Sequence, residues 1–533
     1  MALAQGAQTR EWPTLAQQLE RDRVAPGSAL ERFIAANQDF QMLRAEEIAD
    51  PRGVPAWLKV AWRKAHPRDR YSADDPLGGY PFFLKEIHEW MVSHPDLKRQ
   101  PREADVPPAK AATAAGDRRI SGPQLRPRSE SDIRINFWNP NQIVAGSNNL
   151  DGFSGRLGIY YSQDGGATWG QTTLPLVSTD DYHGDPAVDW TSDGTAWALT
   201  LGIRGTSLNE LRVRAYRSTD GGATWTFDGT PSGSQRGADK ERLWVDHSAA
   251  SPYRDTLHAT WRASNGPTWV ARRTAAGWQK AVRVSPTGYY SFGGDVTTNT
   301  VGEVIVSWTV PGLRNIQVAR STDGGASFGN PITVATTFDT FDIGIPAMAT
   351  RRPVIVVSSG TYRTAGRNEA YLAWMDLSGE PGCTDGSQEP GSNVASPCTT
   401  RVWFSRSTDG GLTWSAPVRI WQQAALNDQF NPWLAVDETT GKVGIAYYDT
   451  VADPGRVKTH LYYQSSADGG LTWTEPLQVT SAETDESVAG TDFANQYGDY
   501  NGMSAYQGRF FPAWTDRRDG QREEIWTAPI LDP

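Results

Sequence analysis

Four aspartates, Asp185, Asp239, Asp295 and Asp499, stand at equivalent points of a repeating pattern, each at the head of an apolar run. Carboxylates gathered in this way suit acid and base work on a glycosidic bond, which needs two of them across a cleft. Near them fall side chains that could hold a polar substrate: Arg134, His183, Arg242, Arg262, Arg314, Asp342, Tyr497 and Arg517. Guanidinium groups pair bidentately with carboxylates, so arginines suit an acidic sugar. Aspartates ringed around a narrow mouth repel one another unless paired, protonated or bound to metal, so Ca2+ could sit there. The plainer alternative for each carboxylate is a cap on its own strand end or a pair with a neighbouring arginine. His183 and Tyr497 read equally well as packing residues.

No other catalytic motif competes. The chain has no His-Glu-x-x-His, no Gly-x-Ser-x-Gly, no P-loop and no Rossmann glycine fingerprint. His88 and His94 are spaced wrongly for one helical face, and two cysteines without a nearby histidine lack the ligands of a zinc site. No metal ligand set is assigned and no cofactor is required. The net charge of −10 argues against nucleic acid as a partner. No apolar run approaches a membrane span. Cys383 and Cys398 share one polar loop and are expected to form a disulfide, which implies an oxidising compartment. A secreted or periplasmic monomer acting on a glycan or glycoconjugate is the expectation; the N-terminus shows no signal peptide, so a natural one would have been removed.

The elements that must position these residues are strands. The 533 residues include 52 glycines, 34 prolines and 22 tryptophans, a composition suited to many turns and flat side chains. One octad recurs: SQDGGATW at 162–169, STDGGATW at 218–225, STDGGASF at 321–328, STDGGLTW at 407–414 and SADGGLTW at 466–473, with a degenerate TAAGWQKA at 274–281. Alternating residues precede each copy. Asp-Gly-Gly supplies a tight turn, and the aromatic residue returns to pack the hairpin. A second pattern, ending in Trp261, Trp308, Trp374 or Trp514, alternates with the octads. Each unit therefore reads as strand, turn, strand, loop, strand, Asp-Gly-Gly turn, strand. Seven such units make an all-β propeller over 132–533, with six blades the alternative. Residues 1–98 read as a small α-helical region, since Phe83, Leu84, Ile87, Trp90 and Met91 share one helical face. Residues 99–131 are rich in Pro, Ala and Arg and read as a linker.

The Ser-x-Asp-Gly-Gly-x-Thr-Trp octad resembles the Asp-box, or BNR repeat, of sialidases and sialidase-like propeller proteins. The resemblance covers about three quarters of the chain. It implies that the octad aspartates are turn residues and that the site lies on the axis, on the face of the loops entering each inner strand. It also implies an arginine cluster and a Tyr–Glu pair for a sialidase. Arg134, in DIRIN, faintly resembles the family's early Arg-Ile-Pro motif, with Asn136 in place of proline. A glycan hydrolase of sialidase-like fold is one expectation. A non-catalytic propeller that binds a glycan, peptide or protein is the other.

Overall fold

A computed structural model describes residues 116–122, 127–149, 155–204, 211–263, 266–286, 290–349, 351–423, 425–488, 491, 496–518 and 522–532. The expected helices at 1–98 lie outside them. Alternating apolar runs and glycine turns pair up into seven antiparallel sheets of four strands, three of which have one strand split in two. These are the blades of a seven-bladed propeller, which sets aside the six-bladed alternative. No α-helix occurs among the described residues, and none there is long and apolar enough to cross a membrane.

The inner strands, in blade order, are Arg128–Ile135, Tyr182–Trp190, Asp239–Val245, Phe292–Thr298, Val357–Arg363, Gln429–Val436 and Gly502–Tyr506. They contact one another around the axis. Blades one to six run inner to outer along the chain. In blade seven the outermost strand is Arg118–Arg119, paired with Glu524–Thr527 through Arg118↔Thr527 and Arg119↔Trp526. The first described residues thus close the ring against the last blade. Residues 118–119 and 128–131 are strands, so the expected linker at 99–131 gives way to sheet before its end. A two-residue strand becomes stable only by adding to an edge that already exists.

The octad turns explain themselves bond by bond. In each of the five full copies the serine Oγ accepts the N–H of the second glycine, as Ser407 does from Gly411 at 2.7 Å, and donates to the aspartate, as Ser407 does to Asp409 at 2.7 Å. The other aspartate oxygen accepts from the hydroxyl four residues on, as Asp409 does from Thr413 at 2.6 Å. Both glycines take positive φ, 71° and 88° at Gly410 and Gly411, where a Cβ would be strained. The hydrogen bonds hold Asp164, Asp323, Asp409 and Asp468 down at about 2. All their lone pairs serve the turn.

Between blades, sheets pack through tryptophans. Trp261, Trp308, Trp374 and Trp514 are fully buried. Such a ring removes roughly 150–250 Å2 from water. Cys383 and Cys398 form the expected disulfide, with S–S 2.09 Å, in the connection between the second and third strands of blade five.

Candidate functional site

Five of the seven inner strands begin with the same local distortion. The ladder slips by a residue between Ser129 and Ser131, Gly184 and Ala187, Asp239 and Arg242, Phe292 and Asp295, and Phe430 and Trp433. These are β-bulges, which re-aim a side chain and increase twist. At four of them a non-glycine residue takes the left-handed region: Glu130 (φ 57°), Asp185 (52°), Lys240 (54°) and Asn431 (46°). Left-handed backbone costs an L-residue roughly 1–2 kcal/mol. Strain of this kind, repeated at one level of the axis, marks a place where side-chain direction matters.

The bulges turn ionisable groups toward one point. The Lys240 ammonium lies 2.5 Å from Asp499 Oδ2, 3.6 Å from Glu130 Oε1 and 3.9 Å from Asp185 Oδ2. Arg351 donates from Nη2 to Asp499 Oδ1 at 2.5 Å and to Glu130 Oε1 at 2.9 Å. The Asp499 N–H donates to Glu130 Oε1 at 3.1 Å. Asn148 bridges Glu130 and Asp185, donating to both carboxylates and accepting the Asp185 N–H at 2.5 Å. All five ionisable groups are buried. Burial pushes the Glu130 carboxyl up to about 7, with Lys240 pulling the other way and Asp185 and Asp499 adding to the rise. Burial alone would depress the Lys240 ammonium, but Asp499, Glu130 and Asp185 overturn that and hold it above its usual range. Three carboxyls share this cluster with Lys240 and Arg351, and burial leaves the Glu130 carboxyl poised near neutrality.

One layer further along the axis, Arg242 lies with its guanidinium 3.7 Å from the Tyr500 ring centre and 4.6 Å from that of Trp433. Burial raises the Tyr500 hydroxyl well above its usual value, and Asp185 and Glu130 add to the rise. Arg134 donates to the Met503 carbonyl at 3.1 Å and faces Trp244 at 5.1 Å. Asp295 spends its oxygens on backbone: Oδ1 accepts from Val296 N at 2.9 Å, and Oδ2 accepts from Ser359 N at 2.7 Å in the next blade. Asp132 does the same between blades one and two through Ile133 and Val188, and Asp189 between blades two and three through Trp190 and Val245. These aspartates staple neighbouring blades. Asp295 was expected as an acid or base; the structure occupies it as a staple.

The remaining expected residues are engaged elsewhere, although Asp239 stays near enough to Lys240 to favour its charge. Asp239 pairs with Arg262 across its own blade, which is the strand-end alternative, and Arg262 lies over Tyr290 at 4.8 Å. His183 turns away from the axis, 3.2 Å from the Tyr216 hydroxyl. Tyr497 packs between Phe430 and Tyr448, its hydroxyl 3.1 Å from Thr459 Oγ1. Asp342 was placed at the start of an inner strand; it stands in a segment ahead of Val357–Arg363, bridged to Val354 and accepting from Arg352 Nε at 2.9 Å. Arg314 sits on the rim, 3.8 Å from Asp385, and Arg517 is buried in blade seven near Glu486. So the structure joins Asp185 and Asp499 in one cluster, places Arg242, Asp295 and Arg134 beneath it, and engages the rest elsewhere. Glu130, Lys240, Arg351 and Tyr500 are the members that sequence reasoning missed. One signal was available: 130, 185 and 240 are evenly spaced along the chain.

Among the described residues, no group of three or more His, Cys, Asp or Glu side chains is arranged to hold a metal ion. At the cluster, Lys240 stands where a cation between the carboxylates would be. The mouth expected as an open pocket is filled by these pairs. A narrow crevice on the axis, with room for about one water, lies instead beside Arg134, Trp244, Trp433 and Glu438.

No family model matches the chain. A xyloglucanase from Paenibacillus sp. is 28% identical over 196 residues, covering 32% of this chain and 18% of the xyloglucanase. The chain thus spans less than a fifth of that relative's length. Among solved structures, a protein of unknown function from Dyadobacter fermentans is 13% identical at TM-score 0.43, over 79% of this chain and 98% of that one. A leech intramolecular trans-sialidase complexed with 2,7-anhydro-Neu5Ac is 12% identical at TM-score 0.44, over 68% and 71%. The intramolecular trans-sialidase from Ruminococcus gnavus is 12% identical at TM-score 0.39, over 79% and 97%.

Proposed function

We propose that this protein is an extracellular glycan hydrolase whose reacting carboxyls are those of the axial cluster. The observation that carries this reading is Lys240 and Arg351 holding Glu130 and Asp499 within one hydrogen-bonded group, with Glu130 pushed up to about 7. A carboxyl raised toward neutrality beside a second carboxyl suits acid-assisted glycoside cleavage. Glu130 donates its proton to the departing sugar oxygen. Asp499 beside Lys240 and Arg351 takes the sugar carbon as its bond to the leaving oxygen breaks; water, deprotonated by Glu130, then displaces Asp499 and restores both carboxyls. Asp185 keeps the field that holds the Glu130 proton. Support from outside the site comes from the relative named as a xyloglucanase and from the octads' resemblance to those of sialidase-like propellers. The disulfide accords with an extracellular setting. The chemistry calls for no cofactor, and a Ca2+ ion at this mouth would have to displace Lys240.

A second reading has its own observation. Every carboxylate of the cluster is already bonded inside it, as in a rigid scaffold that binds a glycan or protein elsewhere. Incubation with xyloglucan, other β-glucans and fluorogenic sialosides separates the two. The hydrolase reading expects sugar release by wild type, abolished in Glu130→Gln and Asp499→Asn. Release that survives both substitutions refutes the assignment of these carboxyls, and none across the panel gives the scaffold reading precedence.

A further inference from the structure

Large apolar side chains are exposed on the outer wall of blades five and six, and they follow the repeat. The octad residue after the two glycines is alanine in blades one, two and four, at Ala167, Ala223 and Ala326. In blades five and six it is leucine, and Leu412 and Leu471 are 53% and 64% exposed. The outer strands show the same contrast. Val282 in blade three and Ile332 in blade four are partly buried, whereas Val418 in blade five and Leu477 in blade six are exposed.

Single exposed apolar residues are ordinary on a protein surface; neighbours gathered on one wall are not. These are linked through the packing beneath them. Val418 pairs across its strands with Phe404, and Phe404 meets Trp473 of the Leu471 octad with ring centres 5.1 Å apart. Leu477 pairs with Tyr463, whose hydroxyl donates at 3.0 Å to Asp532, the chain neighbour of exposed Leu531. The chain enters the fold at this same wall. Asp117 accepts from Ser481 N and Oγ at 2.8 Å and from Arg518 Nη1 at 2.6 Å. Ser481 follows Leu477 by four residues, which is within about 13 Å at roughly 3.3 Å per residue.

Residues 1–115 precede that entry point, and their sequence carries an apolar stripe of its own: Phe83, Leu84, Ile87, Trp90 and Met91, spaced for one helical face. Residues 92–116 separate the stripe from Asp117 and reach up to about 80 Å at roughly 3.3 Å per residue, enough to lay it along the wall. We propose that the outer wall of blades five and six is the docking surface for segment 83–91 of the same chain, its apolar stripe set against Val418, Leu471 and Leu477. The point of entry selects this occupant. A segment tethered beside the wall acts there at an effective concentration of about millimolar, which a second copy of the chain in dilute solution does not reach. The wall is made of outer strands and the axial cluster of inner ones, so docking does not depend on hydrolysis at Glu130 and Asp499.

The test is disulfide trapping in the full chain. Its two native cysteines are already paired, so two introduced thiols report on each other. Ile87→Cys is combined in turn with Val418→Cys, Leu471→Cys and Leu477→Cys, and with Phe227→Cys, which is exposed on the outer strand of blade two. At least one pair on blades five and six is expected to close about tenfold faster than the blade-two pair. Adding Trp90→Asp should abolish that preference, and thermal midpoints verify that each variant is folded. Closure at blade two as fast as at every position on blades five and six overturns the proposal. So does a preference that survives Trp90→Asp. Sedimentation tests the other occupant: wild type is expected to show no dimer dependent on this wall. A dimer lost in Leu477→Asp but kept in Trp90→Asp would give the wall to a second copy, and also overturns the proposal.

Discussion

Replacing Glu130 by glutamine should change how stability depends on pH, in a calculable way. In the unfolded chain this carboxyl titrates near 4.5, and in the fold burial raises it to about 7. A raised acid favours the folded state at low pH. That advantage is complete below 4.5 and is lost as pH rises through 7, where folding must hold an ionised buried carboxylate. A gap of about 2.5 pK units is worth about 3 kcal/mol at roughly 1.36 kcal/mol per unit. Glutamine keeps the shape and never ionises. The variant should therefore gain about 3 kcal/mol on wild type between pH 4.5 and 8. With an unfolding entropy of roughly 2.1 cal/mol/K per residue over about 400 residues, that is a relative gain of about 4 °C in midpoint. Asp339 and Asp376 are also raised to about 7 by burial, but they are common to both proteins and cancel in the difference. Scanning calorimetry of the two proteins across this range is the assay. Parallel midpoint curves would refute the claim that burial leaves the Glu130 carboxyl poised near neutrality.

Three further outcomes follow from the fold. Arg456 is fully buried, doubly bonded to Asp428 at 2.8 and 2.9 Å, and donates to the Ser396 and Cys398 carbonyls of the disulfide loop. Arg456→Met should cost about 3–5 kcal/mol by stranding Asp428, and a double change with Asp428→Leu should recover much of it, read by urea midpoints. Opening the disulfide by Cys383→Ser with Cys398→Ser should cost about 3 kcal/mol through its short loop, and should expose 383–398 to limited proteolysis before any blade is cut. Asp409→Ala removes four hydrogen bonds from one octad turn and should cost about 1–2 kcal/mol at pH 7. Because Asp409 is held at about 2 in the fold, that difference should fade as pH drops below its unfolded value toward 2.

What the chain revealed of itself depended on how local the physics was. The octad turns were legible because serine, aspartate, two glycines and threonine make all their bonds within a few residues, and their spacing then counts blades. Ring closure was not, since Arg118–Arg119 carries no periodicity and is a strand only because Glu524–Thr527 offers an edge. Asp185 and Asp499 could be named because carboxylates near strand starts are visible in sequence. Glu130 and Lys240 were missed because their aim is set by bulges with left-handed backbone at non-glycine residues. Arg351 reaches the axis from the segment preceding Val357–Arg363, which breaks the repeat. Asp295 looked like its neighbours, yet its role depends on Ser359, some sixty residues on and in another blade.

The most direct test of the account is the pH dependence of glycan cleavage by wild type and Glu130→Gln, measured as reducing ends released from xyloglucan and the other panel glycans. The account predicts cleavage by wild type that declines above about pH 7 as Glu130 loses its proton, and none by the variant at any pH. Cleavage by the variant with an unaltered profile would contradict it.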